Sequence, residues 1–175
     1  MSSKAVILLA MHGMPPDDFP KKDLAEWGKL HSTLNQLDGE DRAKAGKRYL
    51  ELDAKIRSWP RTPENDLYHK ASYDLARELK SKSGREVIVG FNEFCNPTLE
   101  NGFETAAKSG ASQVTVVTPM MTRGGSHSER DIPQAIAAAR KKYPALAVEY
   151  AWPFDGSKIA AFLADQIVPY LAASK

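Results

Sequence analysis

The sequence predicts an α/β fold in which helices flank a parallel sheet. Short apolar runs alternate with helical stretches along the chain, which is the pattern of βαβ units around a parallel sheet. The first apolar run, residues 4–11, is nearly continuous, as is typical of a strand that is buried on both faces. The chain of 175 residues is long enough for one domain with its own hydrophobic core.

Three helices are predicted between the first strand and the second. Their apolar side chains recur every three or four residues, as on one face of a helix. The predicted ranges are 23–36, 41–58 and a stretch that begins at Thr62 or Pro63 and stops before Gly84. Because one helix is enough to connect two parallel strands, residues 14–65 are predicted to be a helical insertion in a single domain of residues 1–175.

The second half of the chain alternates strand and helix more regularly. Pro97 is tolerated in the first turn of a helix, and Asp131 is a suitable N-cap for the helix after it. The last helix is predicted to be amphipathic and to carry the apolar residues Ile159, Phe162, Leu163 and Ile167. The predicted strands cover 86–91, 113–118 and 147–151, and the predicted helices cover 97–109, 131–142 and 157–171.

The composition is that of a globular protein and does not indicate a nucleic-acid or membrane partner. Hydrophobic residues make up 42% of the chain, charged residues 26%, and the net charge is only +2. There is no Lys/Arg block or nucleic-acid motif, and no run approaches the roughly 20 apolar residues of a membrane span. The single cysteine, Cys95, excludes an intramolecular disulfide framework and is expected to be a small packed residue. A cytoplasmic location is expected from this cysteine usage.

His12 ends the first apolar run and is followed by Gly13. In parallel α/β sheets ligands bind outside the carboxyl ends of the strands, and neutral imidazole suits Fe, Co, Ni and Zn. A structural histidine bonded to a nearby loop is the alternative interpretation of this position. Histidine phosphatases also have His-Gly after their first strand, but the arginine that precedes their histidine is replaced here by Met11.

A second candidate histidine, His127, lies in a glycine-rich loop after the third predicted strand. Gly124 and Gly125 leave backbone amides accessible, and the next helix offers the positive end of its dipole. Arg123 and Arg130 flank the histidine. The loop therefore has the features expected of an anion site beside a metal-binding group, with a solvated loop as the alternative.

Glu93 lies just beyond the second predicted strand. If that strand neighbours the first, this carboxylate reaches the same crevice as His12, where it could accept protons or bind metal. A surface glutamate that precedes a helix is the alternative. The other two histidines, His31 and His69, fall within predicted helices and are expected to be surface or core residues.

Together these segments resemble the small class II tetrapyrrole chelatases, the CbiX-type sirohydrochlorin cobaltochelatase/ferrochelatase family. The resemblance is most specific in residues 124–133, which match the family pattern Gly-x-His-x-x-x-Asp-Ile-Pro. Further similar segments are 8–13, 90–100 and 116–121. The resemblance covers the first strand and the chain from about residue 66 onward, but not residues 13–65.

The resemblance implies a chelatase-like fold, which is a four-stranded, doubly wound parallel sheet, and a homodimer. It also implies that His12 and His127 handle the metal and that Glu93 assists them, so that these three residues are catalytic. The expected reaction is insertion of Co²⁺ or Fe²⁺, with Ni²⁺ as a further candidate, into a sirohydrochlorin-like tetrapyrrole of cobalamin or sirohaem biosynthesis. No Gly-x-x-x-x-Gly-Lys-Ser/Thr loop is present, so the reaction is expected to need no ATP or other nucleotide.

This chemistry suits the candidate residues. Metalation exchanges two pyrrole protons for a divalent metal, which requires a few releasable imidazole ligands rather than a closed cage, together with a base. Sirohydrochlorin carries many carboxylates, so a cationic rim is expected, with arginine favoured for bidentate pairing. The candidate substrate-binding residues are Arg123, Gly124, Gly125, Ser126, Ser128 and Arg130, and Lys21 and Lys22 are further candidates for the rim.

The chain departs from the chelatase pattern after His12-Gly13. Residues 14–18 are closer to the start of the protohaem ferrochelatases, and the helical insertion follows at once. The identity of the tetrapyrrole therefore stays open at this stage. An alternative function is a non-catalytic carrier or sensor of metal or tetrapyrrole on the same fold, which the extra helices beside the site suggest.

Overall fold

Four parallel strands form one sheet with the order β2-β1-β3-β4. The computed structural model describes residues 4–172, except for the Ala172 side chain. The predicted α/β class and all four predicted strands are confirmed, and the second strand has the predicted bounds. The strands are β1 (Ala5–Met11), β2 (Glu86–Phe91), β3 (Gln113–Val117) and β4 (Ala147–Tyr150).

The helices occupy the predicted segments, with shifted ends. They are α1 (Lys21–Thr33), which runs into a 3₁₀ turn (Leu34–Gln36), α2 (Gly39–Arg57), α3 (Leu67–Ser83), α4 (Leu99–Lys108), α5 (Ile132–Lys142) and α6 (Gly156–Ala172). A π-helical turn (His127–Asp131) directly precedes α5.

Two predicted helix starts are wrong, and side-chain hydrogen bonds explain both. Helix α3 begins at Leu67, because the Asp66 side chain accepts a hydrogen bond from the amide of His69 and caps the helix there. Thr98 caps α4 in a reciprocal pair with Asn101, so Pro97 lies before the helix and not in its first turn.

The strand register brings the candidate site residues to one edge of the sheet. Strand β1 lies between β2 and β3, with Met11 opposite Phe91 and Leu9 opposite Val117. The three strands are parallel, so their carboxyl ends reach this edge together. The loops that follow these strands therefore begin side by side.

Helices cover both faces of the sheet, as the doubly wound arrangement requires. On one face α4 and α5 pack over β1 and β3, with Leu8 and Phe103 almost fully buried. On the other face α3 packs over β2, with Phe91 and Cys95 buried, so the expected packed position of Cys95 is confirmed. Burying a large apolar side chain contributes about 1.5–3 kcal/mol, so these two layers supply the main stabilisation of the sheet.

The last helix, α6, does not bury its apolar side chains. An amphipathic helix normally turns its apolar face to the core. In α6 the large apolar residues Phe162, Leu163, Ile167, Val168 and Leu171 are each more than half exposed. No helix within residues 4–172 is long and apolar enough to cross a membrane.

The segment between β1 and α3 contains α1 and α2, which pack on each other. Trp27 of α1 and Leu52 and Ile56 of α2 are buried. The surface of the helix pair carries ion pairs that connect α1 with α2, such as Glu26 with Arg48. Both helices predicted within residues 14–65 are thus present, and each buries apolar side chains.

A buried ion pair connects this segment with the edge of the sheet. The side chains of Arg61 and Asp66 form the pair and are 8% and 1% exposed. The guanidinium of Arg61 also donates to the carbonyl oxygens of Met14, Ile56 and Phe94. Arg61 therefore links the loop after β1, the end of α2 and the loop after β2.

We expect the substitution Arg61→Met to lower the free energy of unfolding by about 3–5 kcal/mol, because it leaves the Asp66 carboxylate buried without its partner. Urea unfolding followed by circular dichroism measures this loss. The control is Arg48→Met, which removes an exposed ion pair and should change stability far less. Equal losses in the two variants would contradict the role of the buried pair.

Candidate metal centre

Three side chains from three separate loops converge at the carboxyl edge of the sheet. His12 directly follows β1, Glu93 lies two residues beyond β2, and His127 begins the π-helical turn after β3. Each offers one ligand atom, and these atoms all lie within 4.8 Å of one another. The two imidazole rings are 4.5 Å apart between centroids and nearly perpendicular. The sequence-predicted trio is therefore found together in the structure.

The hydrogen bonds of His12 leave one ring nitrogen available. Its Nδ1–H donates to the carbonyl oxygen of Gly13 at 2.5 Å, because a carbonyl can only accept. The neutral ring then has its lone pair on Nε2, which is the form that binds a metal. The backbone amide of His12 donates to the hydroxyl of Tyr68 at 3.2 Å, which fixes the main chain at this point.

His127 is oriented by a carboxylate. Its Nδ1–H donates to Asp131 Oδ2 at 2.8 Å, so Nε2 is again the free nitrogen. A carboxylate behind a metal-binding imidazole fixes the orientation of the ring. Asp131 adopts a helical backbone conformation and makes no capping hydrogen bond, so its predicted role as an N-cap is wrong. The four-residue spacing of the two residues on a helical turn is the sequence signal that would have revealed the pair.

The Glu93 carboxylate is placed by main-chain contacts between the loops after β1 and β2. The amide of Glu93 donates to the carbonyl oxygen of His12 at 2.9 Å, and Asn92 donates twice to the carbonyl oxygen of Met11. Gly13 has φ +96°, and a Cβ at this position would lie 1.9 Å from the carbonyl oxygen of Glu93. Only glycine permits so close an approach of the two loops.

The remaining predicted residues of the glycine-rich loop lie on or under its surface. Gly124, Gly125 and Ser126 are exposed next to His127. Ser128 is 1% exposed and sits under the loop, where its carbonyl oxygen accepts a hydrogen bond from Tyr150. The predicted substrate contacts of all six loop residues stay predictions, and for Ser128 burial means that any such contact requires movement of the loop.

The two predicted arginines of the loop already have carboxylate partners. Arg123 pairs with Glu129 at 2.5 Å, and Arg130 pairs with Asp131 at 2.9 Å. Both arginine side chains are about two-thirds exposed, so their guanidinium groups remain open to solvent. Lys21 and Lys22 are exposed at the start of α1 and do not line the cleft beside the imidazoles.

An open cleft of about 430 Å³ lies beside the trio and is walled partly by α1 and α2. His31 of α1 contributes its Nε2 at 3.9 Å from Glu93 Oε1, and its ring stacks on Trp27. Tyr49 of α2 lies next to it, with its hydroxyl 3.2 Å from His31 Nδ1. The full lining is His31, Tyr49, Arg57, Asn92, Glu93, Ser126, His127, Arg130 and Asp131.

The position of His31 was not predictable from its local sequence. It depends on how α1 folds back over the sheet edge, and no spacing rule in the chain specifies that. Burial, together with the negative charges of Asp53 and Glu93, raises the pKa of Tyr49 to about 12, so this cleft residue remains a neutral phenol at physiological pH. His69, in contrast, stacks on Phe91 away from the trio, and burial lowers its pKa.

The geometry suits loose binding of a divalent metal. Two imidazole nitrogens and one carboxylate oxygen offer three ligands, and structural metal sites normally have four. The three side chains are partly buried, and Glu93 and His127 also line the cleft. The fold and the site together define a class of protein. Its members are parallel α/β proteins with an open, histidine-containing candidate metal centre at the edge of the sheet.

Within that class, the chain belongs to the CbiX family, whose family model matches residues 64–169. The family resemblance seen in the sequence is therefore confirmed. A solved structure of a CbiX protein from Marinobacter aquaeolei VT8 is similar over 98% of both chains, with a TM-score of 0.50 and 16% identity. At that identity the similarity bears on the fold alone.

Two curated relatives are similar over shorter stretches. The sirohydrochlorin ferrochelatase of Bacillus subtilis (strain 168) is 35% identical over 65 residues, which is 37% of this chain and 24% of the relative. The sirohydrochlorin cobaltochelatase of Methanopyrus kandleri is 42% identical over 50 residues, which is 29% of this chain and 34% of the relative. The chain thus spans about a quarter to a third of the length of these relatives.

We expect the substitution Asp131→Asn to weaken Co²⁺ binding about 10–100-fold, because the imidazole of His127 loses its charged partner. Isothermal titration of the full chain with Co²⁺ measures this affinity. The matched control is Glu129→Gln, which removes a carboxylate from the same turn that contacts Arg123 and not the imidazole. Equal affinities for the wild type and Asp131→Asn would rule out this role of the carboxylate.

Proposed function

We propose that this protein is a metal chelatase that inserts a divalent metal into a sirohydrochlorin-like tetrapyrrole without ATP. The observation that carries the proposal is the convergence of His12, Glu93 and His127 within 4.8 Å at an open cleft. Membership of the CbiX family and the two named relatives support it. The metal is a substrate here, so the site must both hold it and release it.

In the proposed mechanism the two Nε2 atoms of His12 and His127 hold the incoming metal. The coordination positions left open accept the pyrrole nitrogens as the tetrapyrrole enters the cleft. Two pyrrole protons must leave as the nitrogen–metal bonds form. Glu93, whose carboxylate lies within 4.8 Å of a ligand nitrogen of each imidazole, is the proposed base that passes them one after the other to solvent. With few protein ligands, the metal can exchange them for the four tetrapyrrole nitrogens.

The proposed metals are Co²⁺ and Fe²⁺, with Ni²⁺ as a further candidate. Imidazole and carboxylate ligands bind all three ions, and selectivity among them comes from geometry and supply. The two named relatives comprise a ferrochelatase and a cobaltochelatase. We place the reaction in cobalamin or sirohaem biosynthesis, since these cofactors contain cobalt and iron in a sirohydrochlorin-derived ring.

The exposed arginines of the glycine-rich loop are proposed to meet the carboxylates of the tetrapyrrole. Arg123 and Arg130 flank His127 in the sequence, and Arg130 lines the cleft beside the candidate metal site. Each now pairs with a carboxylate of its own turn, which a substrate carboxylate would replace. Arginine suits this exchange because its planar group binds carboxylates in a bidentate manner.

We expect the substitution His127→Ala to lower the rate of metal insertion about 10²-fold or more, because it removes a proposed metal ligand. Loss of a residue that only hydrogen-bonds to a ligand typically costs about 10–100-fold. Sirohydrochlorin and Co²⁺ are mixed with a catalytic amount of protein, and the absorption spectrum of the tetrapyrrole is followed. Thermal unfolding by circular dichroism serves as the control for an intact fold. Unchanged turnover in a folded variant would refute the role of His127.

The same assay separates the enzyme from a carrier or sensor. One observation favours this second candidate: His31 of α1 and Tyr49 of α2 add a wall to the cleft at the sheet edge. Multiple turnovers per protein molecule indicate a chelatase. A spectral change that stops at one equivalent of tetrapyrrole indicates a binding protein.

We also propose that two copies of the chain pair as a homodimer through α6. The exposed apolar residues of this helix, including Leu163 and Val168, form a surface that a second copy can bury. Charged residues are few on the helix, which is typical of the centre of a homodimer interface.

We expect the substitution Leu163→Glu to shift the protein to a monomer, because it places a charge in the apolar surface. Light scattering coupled to size-exclusion chromatography measures the molar mass. The matched control is Gln166→Glu, which adds the same charge to the same helix at a polar position. A wild-type protein that is monomeric at micromolar concentration would contradict the proposal.

A further inference from the structure

An arginine of the insertion holds the loop that carries Glu93. This loop, residues 92–95, is called the Glu93 loop. Arg57 is the last residue of α2, and its two terminal nitrogens donate to the carbonyl oxygens of Asn92 and Cys95, each at 3.0 Å. These two carbonyls lie on either side of Glu93 and Phe94, so the guanidinium spans the loop.

Arg57 is itself fixed by other residues of the insertion. Its Nε donates to Asp53 Oδ2 at 2.6 Å, and Asp53 Oδ1 accepts a hydrogen bond from the indole of Trp27 at 3.2 Å. The Trp27 ring is buried and contacts Phe94 with 4.7 Å between centroids. Both helices of the insertion therefore act on the same four-residue loop.

The Glu93 loop has a backbone conformation that needs such support. Phe94 has φ +58°, in the left-handed region that residues with a side chain rarely adopt. The loop also closes tightly, with the amide of Cys95 only 2.6 Å from the carbonyl oxygen of Glu93. Such conformations persist where the surrounding structure holds them. Arg57 supplies donors to the carbonyls at both ends of the loop.

Arg57 borders the cleft, but its hydrogen bonds show that it is not available to bind a substrate carboxylate. All three of its guanidinium nitrogens already have partners, and its side chain is only 16% exposed. This distinguishes it from Arg130, which also lines the cleft but is 65% exposed. The effect of Arg57 on the site must therefore pass through the Glu93 loop.

We propose that Arg57 is a positioning residue that sets the Glu93 carboxylate against the imidazoles of His12 and His127. The helical insertion then becomes part of the metal site and not an addition beside it. The inference rests on the proposed function, since it assigns a role to Arg57 in that same site. A lysine cannot replace it, because one ammonium group cannot reach the three acceptors of a planar guanidinium.

The test is a double-mutant cycle between Arg57→Met and Glu93→Gln in the full chain, with Co²⁺ affinity measured by isothermal titration. We expect Arg57→Met to weaken Co²⁺ binding about 10-fold in the wild-type background and Arg57→Lys to do the same. In the Glu93→Gln background the same substitution should add almost no further loss, since it acts through the carboxylate. Fully additive losses would overturn the proposal.

Two controls keep this result interpretable. Arg48→Met removes an arginine from the same helix that pairs with α1 and not with the Glu93 loop, and it should leave Co²⁺ affinity unchanged. Asp53→Asn is a milder second variant, expected to show the same coupling with Glu93→Gln even if Arg57→Met proves unstable. Affinity losses for Asp53→Asn that are independent of Glu93 would also overturn the proposal.

Turnover measurements separate this inference from the proposed function. If the wild type inserts metal, Arg57→Met should lower kcat about 10-fold or more with little change in KM for the tetrapyrrole, since all three guanidinium nitrogens of Arg57 are bonded within the protein. A wild type without turnover would refute the chelatase proposal, while the cycle on Co²⁺ affinity would still decide the role of Arg57.

Discussion

The site depends on the close main-chain contact between the loops that follow β1 and β2. Gly13 lies so near the carbonyl oxygen of Glu93 that a side chain at this position is impossible without displacing the loop. The hydrogen bond from the amide of Glu93 to the carbonyl of His12 forms at the same point. This contact brings an imidazole and a carboxylate from distant parts of the sequence to one place, and His127 completes the set from the third strand.

Much of the fold could be predicted because its signals are local. The apolar runs of β1 and β2 identify buried strands, and the parallel arrangement places His12 and Glu93 at one edge of the sheet. The glycine-rich loop placed His127 there as well. The start of α4 is harder to predict, because the sequence allows two starts. Pro97 is acceptable as the first residue of a helix, and Thr98 can cap the helix together with Asn101, as it does in the structure.

Other features of the site depend on tertiary structure and leave little trace in the sequence. His31 and Arg57 lie in ordinary amphipathic helices, and their roles follow from how α1 and α2 fold over the sheet edge. Asp131 does not cap α5 as the sequence predicts, because a π-helical turn and not a loop precedes that helix. The apolar residues of α6 are spaced as in a helix that packs on a core. Within the described residues, however, the large apolar side chains of this helix stay exposed.

The burial of Cys95 gives the protein an internal reporter. The thiol lies in the Glu93 loop, is inaccessible to solvent, and burial raises its pKa, so it reacts slowly while the loop is in place. It is the only thiol in the chain. The rate at which a thiol reagent modifies the folded protein therefore measures how often this segment opens, without any substitution in the chain.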